Sequence, residues 1–397
     1  MTKKKLMLLG GIRYLLPVID AAHKLGVHVI TADYLPDNIA HKYSDEYVNV
    51  SIIDRDAVLK AAQERQIDGI LSFGVDPGVV TAAYVADRME LPFPPPASVE
   101  ILQNKDKFRD FLECNGFNCP KRYQPNDEIE YPVIVKPVDS AGSKGCSRVN
   151  SSSELTSAIE YARSESHSGR IIIEQFLTNA HSSSDTDSFS IDNELVFCSF
   201  NCQHFDIASP NPYTPAAYSW PSDMPIAAQD ELRREIQRLI KLLNLGTSIY
   251  NIETRVAADG KPYIMEVSPR GGGNRLAEIL RVATGVDMIK AAVCGALNLP
   301  IEDNLWMFRN SPISYNGSFA ELIVHSNKEG RYVALGIDPE FRAAHVVQED
   351  MWIRSGDKVH SFTGANQTIG TLVLRFDSHD EAERYLADTS WLDVMVS

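Results

Sequence analysis

Residues 249–275 read IYNIETRVAADGKPYIMEVSPRGGGNR, and this stretch predicts two antiparallel strands joined by a tight turn at Asp259-Gly260. Glu253 and Glu266 then become cross-strand neighbours, whose Cβ atoms approach to about 5 Å. Two carboxylates this close repel each other unless a cation or a proton lies between them, and Mg²⁺ prefers oxygen ligands. We therefore interpret the two glutamates as metal ligands. The alternative is that each glutamate is solvated on an outer face of the sheet.

The same stretch continues into Arg270 and three consecutive glycines. An arginine at this place can neutralise charge on a transferring phosphoryl group, or bind a substrate carboxylate in bidentate fashion. The glycines leave backbone donors open for an anion and leave room for a ligand. A tight turn with a surface arginine is the alternative, and it explains the glycines but not their position beside Glu266.

A second segment combines a buried strand that ends at Lys136 with a loop of small residues, DSAGSKG at 139–145. Gly142 and Gly145 allow backbone N–H groups to approach phosphate oxygens, while Lys136 and Lys144 add positive charge. The GxxxxGK[ST] pattern is absent, so this segment is not a P-loop. An exposed polar hairpin with an edge lysine explains the segment equally well.

A third segment, IIIEQFL at 171–177, is a buried strand that emerges at a carboxylate and an amide. Its backbone can hydrogen-bond the edge of an adenine while its apolar side chains enclose the ring. Taken alone, the segment is explained better as a strand that simply leaves the core.

The first hundred residues alternate strand and helix patterns, which predicts a doubly wound parallel sheet. The proline-rich run LPFPPP at 91–96 marks its end. We predict an N-terminal α/β domain at 1–102, a central domain of two α+β subdomains at 103–300 with a lid at about 121–198, and a C-terminal domain at 301–397 with an antiparallel sheet. Residues 201–225 are predicted to form a long ordered loop. This loop is our candidate for substrate contact, with His204 as a candidate general base, and a packed structural loop is an equal alternative.

Composition excludes several classes of function. The chain has 397 residues with a net charge of -15, which argues against non-specific binding to nucleic acid or to an anionic membrane. The six cysteines form no CxxC pair, and no Cys/His cluster has zinc spacing, so we expect a reduced cytoplasmic protein. No apolar stretch is long enough to span a bilayer.

Taken in order, these segments resemble the ATP-grasp superfamily, in the branch of biotin carboxylase, carbamoyl phosphate synthetase, glycinamide ribonucleotide synthetase and the L-amino acid ligases. The resemblance covers nearly the whole chain. It rests on five matches, which are NKDK at 104–107, VKP at 135–137 with its loop, EQFL at 174–177, NIE at 251–253 and EVSPR at 266–270.

The resemblance implies a role for each segment. Two magnesium ions, or Mn²⁺ in their place, would be bound by Glu253 and Glu266, with Ser268 where the family usually has asparagine. Arg270, Lys136 and Lys144 would serve catalysis. ATP would be bound by residues of all the earlier segments, namely Lys105, Lys136, Ser140, Gly142, Ser143, Gly145, Glu174, Gln175, Phe176 and Leu177. The acidic residue expected to bind ribose is not in its usual place, and Asp185 and Asp187 are the alternatives, of which we assign Asp187.

The resemblance implies an ADP-forming ligase that activates a small carboxylate as an acyl phosphate and joins it to an amine-type nucleophile, in a possible homodimer. A bicarbonate-activating carboxylase or carbamoyl-type enzyme is the alternative within the class. Two alternatives lie outside the ligase class, a non-catalytic ATP-binding protein and an NAD-dependent dehydrogenase. The dehydrogenase is disfavoured because Gly10-Gly11 is not followed by the GxGxxG fingerprint.

Overall fold

The structure is a computed structural model that describes residues 3–140, 144–302, 305–306, 309 and 313–397. The predicted fold class is confirmed, since a parallel sheet at the N-terminus is followed by antiparallel sheets. Among the described residues, none of the helices combines the length and apolar character needed to cross a membrane.

The N-terminal sheet is parallel throughout, with the strand order β3-β2-β1-β4. One face packs on α2 and α3. The other packs on α1 and on α9, which comes from much later in the chain. The elements are β1 (Lys5–Leu9), α1 (Leu16–Lys24), β2 (His28–Asp33), β3 (Glu46–Asn49), α2 (Arg55–Arg65), β4 (Gly69–Ser72), α3 (Pro77–Met89) and α4 (Pro96–Leu102).

The next segment forms a small antiparallel sheet, which we call the lid sheet, with the strand order β5-β8-β6-β7. It is preceded by α5, whose N-cap residue Asn104 accepts a hydrogen bond from the backbone N–H of Lys107 at 3.1 Å. The elements are α5 (Lys105–Cys114), β5 (Arg122–Tyr123), β6 (Val133–Pro137), β7 (Ser147–Val149), α6 (Ser152–Ser164) and β8 (Ile171–Gln175).

A second antiparallel sheet, with the strand order β10-β9-β13-β14, contains the predicted hairpin. It packs on α7, which buries Leu232, Ile236 and Leu239 at helical spacing. The elements of this part of the chain are β9 (Ser184–Ile191), β10 (Glu194–Cys198), β11 (Cys202–Phe205), β12 (Pro215–Trp220), α7 (Ile226–Leu243), β13 (Ser248–Val256), β14 (Pro262–Ser268), α8 (Leu276–Thr284) and α9 (Met288–Ala296).

The prediction of a long loop at 201–225 is wrong, because β11 and β12 lie there. These strands join the C-terminal sheet, whose order is β11-β12-β15-β19-β17, and a smaller sheet has the order β18-β16-β20. The remaining elements are β15 (Ser318–Val324), β16 (Gly330–Ile337), α10 (Pro339–His345), β17 (Val346–Met351), β18 (Lys358–Val359), β19 (Gly370–Phe376), α11 (His379–Ala387) and β20 (Leu392–Val396). The pairing of β12 with β15 therefore crosses the predicted domain boundary at 300–301. The predicted domain boundaries stay predictions.

Candidate active site

Six polar side chains lie on one face of the sheet formed by β9, β13 and β14. Glu253 lies directly opposite both Asp185 and Glu266, and Asn251 lies directly opposite both Asp187 and Ser268. Residues directly opposite in antiparallel strands share a face. The result is two adjacent rows, and we call these six residues (Asp185, Asp187, Asn251, Glu253, Glu266 and Ser268) the acidic face. A β-bulge follows Glu253 in its pairing with β14, a feature that is common next to active sites.

Positively charged side chains surround the two predicted metal ligands. Lys105 Nζ lies 3.7 Å from Glu266 Oε2 and also donates to the carbonyl oxygen of Ser140 at 3.1 Å. Arg255 Nη2 lies 2.9 Å from Glu253 Oε1. Burial acts to raise the pKa of Glu253, but the charges of Arg255, Lys136 and Lys105 outweigh burial and hold that pKa below its ordinary value. Glu253 is therefore ready to bind a cation in its ionised form.

Asp185 and Asp187 add two carboxylates to the acidic face. Asn251 Nδ2 donates to Asp185 Oδ1 at 2.7 Å, and the backbone N–H of Gly272 donates to Asp187 Oδ1 at 2.8 Å. Burial raises the pKa of Asp185 to about 8, with the charge of Glu253 adding to the effect, and burial raises the pKa of Asp187 to about 7. Asp187 was predicted to bind ribose, but the structure places it beneath the glycine turn. Asp187 thus supports the glycine turn, and its contact with ribose stays a prediction.

Lys136 and Glu174 form a buried charge network with Arg109, a residue that the sequence did not single out. Arg109 Nε donates to Glu174 Oε1 at 2.5 Å, and Lys136 Nζ lies 2.7 Å from Glu174 Oε2. The side chains of Arg109 and Glu174 are 0% exposed. The carboxylate of Glu174 is thus engaged by two cations, and its contact with the adenine stays a prediction. Its contribution is to fix Lys136 at the end of β6.

The loop between β6 and β7 lies only partly within the described residues. Gly142 and Ser143 lie outside them, so their predicted contacts with ATP stay predictions. Ser140 offers its carbonyl to Lys105, Lys144 is exposed, and Gly145 has a φ of +72°, in the left-handed region that favours glycine.

The predicted adenine segment leaves the lid sheet at the end of β8. Gln175 is exposed, and the ring of Phe176 lies 4.5 Å beneath the guanidinium of Arg148. Leu177 packs against Ala257 and Tyr263 in a small apolar cluster. The apolar surface expected beside an adenine is therefore present, and the adenine contact itself stays a prediction.

Arg270 is bound by Asp76, a second residue that the sequence did not reveal. Arg270 Nε donates to Asp76 Oδ1 at 2.8 Å and Nη2 donates to Oδ2 at 2.7 Å. Burial acts to raise the pKa of Asp76, but the charge of Arg270 outweighs burial and lowers it. Asp76 directly precedes α3, so the N-terminal domain holds the predicted catalytic arginine in place. No sequence signal near Asp76 indicates this role, because its partner lies 194 residues away.

Ser268 was predicted to bind metal, and the structure gives its hydroxyl two other partners. Ser268 Oγ donates to Asp76 Oδ1 at 3.0 Å and accepts from Gln103 Nε2 at 3.0 Å. The hydroxyl is buried and hydrogen-bonded, so in this structure it supports the Arg270–Asp76 pair, and its contact with a metal stays a prediction.

The glycine turn brings the N-terminal sheet against the acidic face. Phe73, directly after β4, forms a parallel bridge with Gly271, and the N–H of Gly74 donates to the carbonyl of Gly271 at 2.9 Å. A Cβ on Gly271 would lie 2.2 Å from the ring of Phe73, which explains why glycine is required there. The carboxyl ends of the parallel strands therefore open onto the acidic face, which is where ligands bind in such sheets.

Polar side chains from three parts of the chain meet at this crevice. Tyr14 Oη donates to Asn274 Oδ1 at 2.9 Å, and Asn274 Nδ2 donates to Tyr218 Oη at 3.3 Å. His204 lies elsewhere. It packs behind β12 against Ser219, whose side chain alternates with that of Tyr218, and this removes His204 as a candidate general base.

The residues present fit a magnesium nucleotide. Two glutamates stand directly opposite each other on one face, and the Glu266 side chain remains 45% exposed. Oxygen donors of this type suit Mg²⁺, and Lys105 and Lys136 stand where their charges reach Glu253 and could meet phosphates. The arrangement can hold a polyanion, two divalent cations and an anionic substrate beside Arg270.

Comparisons with known proteins agree with this geometry. Residues 102–274 match the family described as the ATP-grasp domain. The carbamoyl phosphate synthase large chain of Xylella fastidiosa (strain Temecula1) is 24% identical over 316 residues, which are 73% of this chain and 29% of that protein. The formate-dependent phosphoribosylglycinamide formyltransferase of Prochlorococcus marinus subsp. pastoris is 26% identical over 313 residues, covering 75% of this chain and 77% of that protein.

A solved structure extends the likeness over the full length. The L-amino acid ligase from Bacillus licheniformis superposes with a TM-score of 0.83 at 21% identity, covering 100% of both chains. At this identity the superposition shows a shared fold. This chain spans less than a third of the carbamoyl phosphate synthase large chain that it matches.

Proposed function

We propose that this chain, whose residues 102–274 match the ATP-grasp domain family, is an ATP-dependent ligase that activates a carboxylate as an acyl phosphate and transfers the acyl group to an amine-type nucleophile. ATP would be converted to ADP and phosphate. The observation that carries the proposal is the direct pairing of Glu253 with Glu266 on one face, within reach of Lys105 and Lys136.

The chain's own residues would bind and orient the reactants. Magnesium, when bound, would neutralise charge between the phosphates as the phosphoryl group moves. Glu253 and Glu266 are the residues that would hold it. Lys136, fixed by Glu174, would place a positive charge over the phosphates, and Lys105 would exchange Glu266 for a phosphate oxygen. Positioning and charge neutralisation are the main contributions that phosphoryl transfer requires from a protein.

Arg270 is suited to the anionic substrate. Its guanidinium carries five N–H groups, and three donate to Asp76 and to the carbonyl of Gly271. The remaining two would bind the carboxylate before transfer and the acyl phosphate after it. Asp76 keeps the guanidinium oriented throughout, because it binds the side of the fork that faces the N-terminal domain.

The substrates would be small molecules that enter the crevice between the N-terminal strand ends and the acidic face. Formation of an amide link suits the site, because a neutral amine can attack the acyl phosphate without a protein nucleophile. Tyr14 and Asn274, joined by a hydrogen bond and backed by the buried Tyr218, would contact the substrates. We further propose that the reaction takes place in the cytoplasm, with a homodimer as the assembly to test.

A coupled assay for ADP, run over a panel of carboxylates and amines with bicarbonate included, tests the proposal. We expect ADP and phosphate to form only when a matching carboxylate is present, and hydroxylamine to trap the activated acyl group as a hydroxamate. Glu266→Gln should abolish turnover, while Glu278→Gln serves as a control outside the acidic face. Formation of AMP and pyrophosphate would contradict the proposal, since it would indicate adenylation.

A further inference from the structure

A cluster of metal-binding side chains lies behind the C-terminal sheet, between β11 and α11. Cys202, His379 and Glu383 offer ligand atoms that all lie within 4.8 Å of one another. His204 joins them, with Nε2 3.4 Å from Glu383 Oε1. We propose that these four residues form a binding site for a divalent transition metal of the zinc type. The site is separate from the acidic face and does not depend on the proposed ligase activity.

Each half of the cluster follows from the local geometry of its element. Cys202 and His204 are two residues apart on β11, so their side chains leave the same face of the strand. His379 and Glu383 are four residues apart on α11, which places them one turn apart on the same side of the helix. Because α11 packs against β12, the two pairs meet across the interface between helix and sheet.

One distance in the cluster already matches tetrahedral coordination. With metal–ligand bonds of about 2.0–2.3 Å, the ligand atoms at the corners of a tetrahedron lie about 3.3–3.8 Å apart. His204 Nε2 lies 3.4 Å from Glu383 Oε1, within this range, and the ligand atoms of Cys202, His379 and Glu383 lie within 4.8 Å of one another. Small side-chain rotations would complete the site. Thiolate, imidazole and carboxylate are the donors that zinc takes in proteins, whereas Mg²⁺ prefers oxygen alone.

Hydrogen bonding within the described residues leaves part of this cluster unsatisfied. Nδ1 of His379 is buried and has no hydrogen-bond partner there. Ser219 Oγ bonds both His204 Nε2 and Glu383 Oε1, so one hydroxyl serves two ligands. An ion bound through Nδ1 would give that atom a partner and would compensate the charge of Glu383. Buried polar atoms without partners are rare enough to require such an explanation.

The cluster is also accessible to an ion. Cys202 is fully buried, while the side chains of His204, His379 and Glu383 are 20%, 28% and 37% exposed. Binding would release one proton, since Cys–SH and M²⁺ give Cys–S–M⁺ and H⁺. The metal would then join α11 to β11, two elements that are 170 residues or more apart in the chain, and so hold the helix on the sheet.

Cobalt binding provides the test, because a cobalt–thiolate bond gives a charge-transfer absorption in the near ultraviolet. The full-length protein is stripped with EDTA and titrated with Co²⁺ in excess Mg²⁺, which keeps the acidic face from contributing. We expect one Co²⁺ per chain with the thiolate band, and competition by Zn²⁺. The band should vanish in Cys202→Ser and persist in Cys114→Ser, which alters an exposed cysteine.

A second variant guards against misfolding of Cys202→Ser. His379→Ala, at the surface, should keep the circular dichroism spectrum and lower Co²⁺ affinity at least tenfold, since loss of even an outer-shell partner lowers metal affinity about 10- to 100-fold. The exposed His360→Ala is its control. Absence of stoichiometric Co²⁺ uptake by the wild type, a thiolate band that persists without Cys202, or unchanged affinity in His379→Ala would each overturn the proposal.

Discussion

Glu174→Gln perturbs the buried network that fixes Lys136. The carboxylate of Glu174 accepts a hydrogen bond from Arg109 through Oε1 and forms an ion pair with Lys136 through Oε2, and both Arg109 and Glu174 are fully buried. Glutamine has one acceptor oxygen and one NH₂ group, so it can accept from only one of the two cations and must turn a donor toward the other. One buried charge therefore loses its partner.

The expected decrease in the free energy of unfolding follows from this unpaired buried charge. Removing one partner of a buried ion pair destabilises a protein by about 3–5 kcal/mol. We expect a value near the lower end, about 3 kcal/mol, because Arg109 Nη1 keeps its hydrogen bond to the carbonyl of Met265 at 2.8 Å. Nucleotide affinity should fall as well, since Lys136 is no longer held at the end of β6.

Urea unfolding followed by circular dichroism measures the first effect. The matched control is Glu160→Gln on α6, which alters an exposed glutamate and should change the unfolding free energy by less than about 0.5 kcal/mol. Adding Arg109→Met to Glu174→Gln should recover part of the loss, because the unpaired buried charge is then removed. A loss below about 1 kcal/mol in Glu174→Gln would refute this reasoning.

Three further predictions concern the same region. Asp76→Asn should lower turnover and should lower the free energy of unfolding in urea by about 3 kcal/mol, because Arg270 loses its charged partner. The control Asp87→Asn, on the exposed side of α3, should change neither quantity. Gly272→Ala should lower the free energy of unfolding by about 1–3 kcal/mol, because the new Cβ would lie 2.8 Å from Asp187 Oδ1. Gly273→Ala should lower it less, because the atom nearest to its new Cβ is 3.3 Å away. Equal losses in the two variants would contradict the packing argument. Burial acts to raise the pKa of Glu174, but the charges of Arg109 and Lys136 lower it to about 2. The stabilisation from Glu174 is therefore present above pH 4.5 and is lost as the pH falls toward 2. The unfolding free energy, measured against pH, should fall over this range in the wild type and not in Glu174→Gln.

The sequence predicted the elements whose patterns are local. The hairpin around Asp259-Gly260 and the helix Lys105–Cys114 lie where turn chemistry and capping indicate. The parallel N-terminal sheet also follows, since alternating strand and helix patterns have few topological solutions. These features depend on residues that are close together in the chain.

The long-range contacts could not be predicted in this way. Asp76 binds Arg270 from 194 residues away, and Arg109 reaches Glu174 from 65 residues away. Neither residue carries a local signal, because an aspartate before a helix and an arginine within one are common. The spacing of the cluster at Cys202 and His379 does not match a zinc motif, because one pair of its residues lies on a strand and the other on a helix far along the chain.

The prediction of a long loop at 201–225 is wrong because the composition of this region is typical of loops. Proline, serine and asparagine occupy the turn at 206–214, and they outweigh the short strand patterns on either side. Tertiary pairing decides the outcome here, since β12 gains its partner from β15, about a hundred residues later. The residue of this region that bonds Asn274 is Tyr218, and its alternation with Ser219 along β12 separates it from His204.

Calorimetric titration of ATP into the protein in the presence of Mg²⁺ tests the central claim most directly. We predict saturable binding by the wild type that requires the divalent cation, and at least tenfold weaker binding by Glu253→Gln and Glu266→Gln with their folds retained. Equal affinity of the wild type and both variants for ATP with Mg²⁺ would contradict the assignment of the acidic face as the nucleotide–metal site.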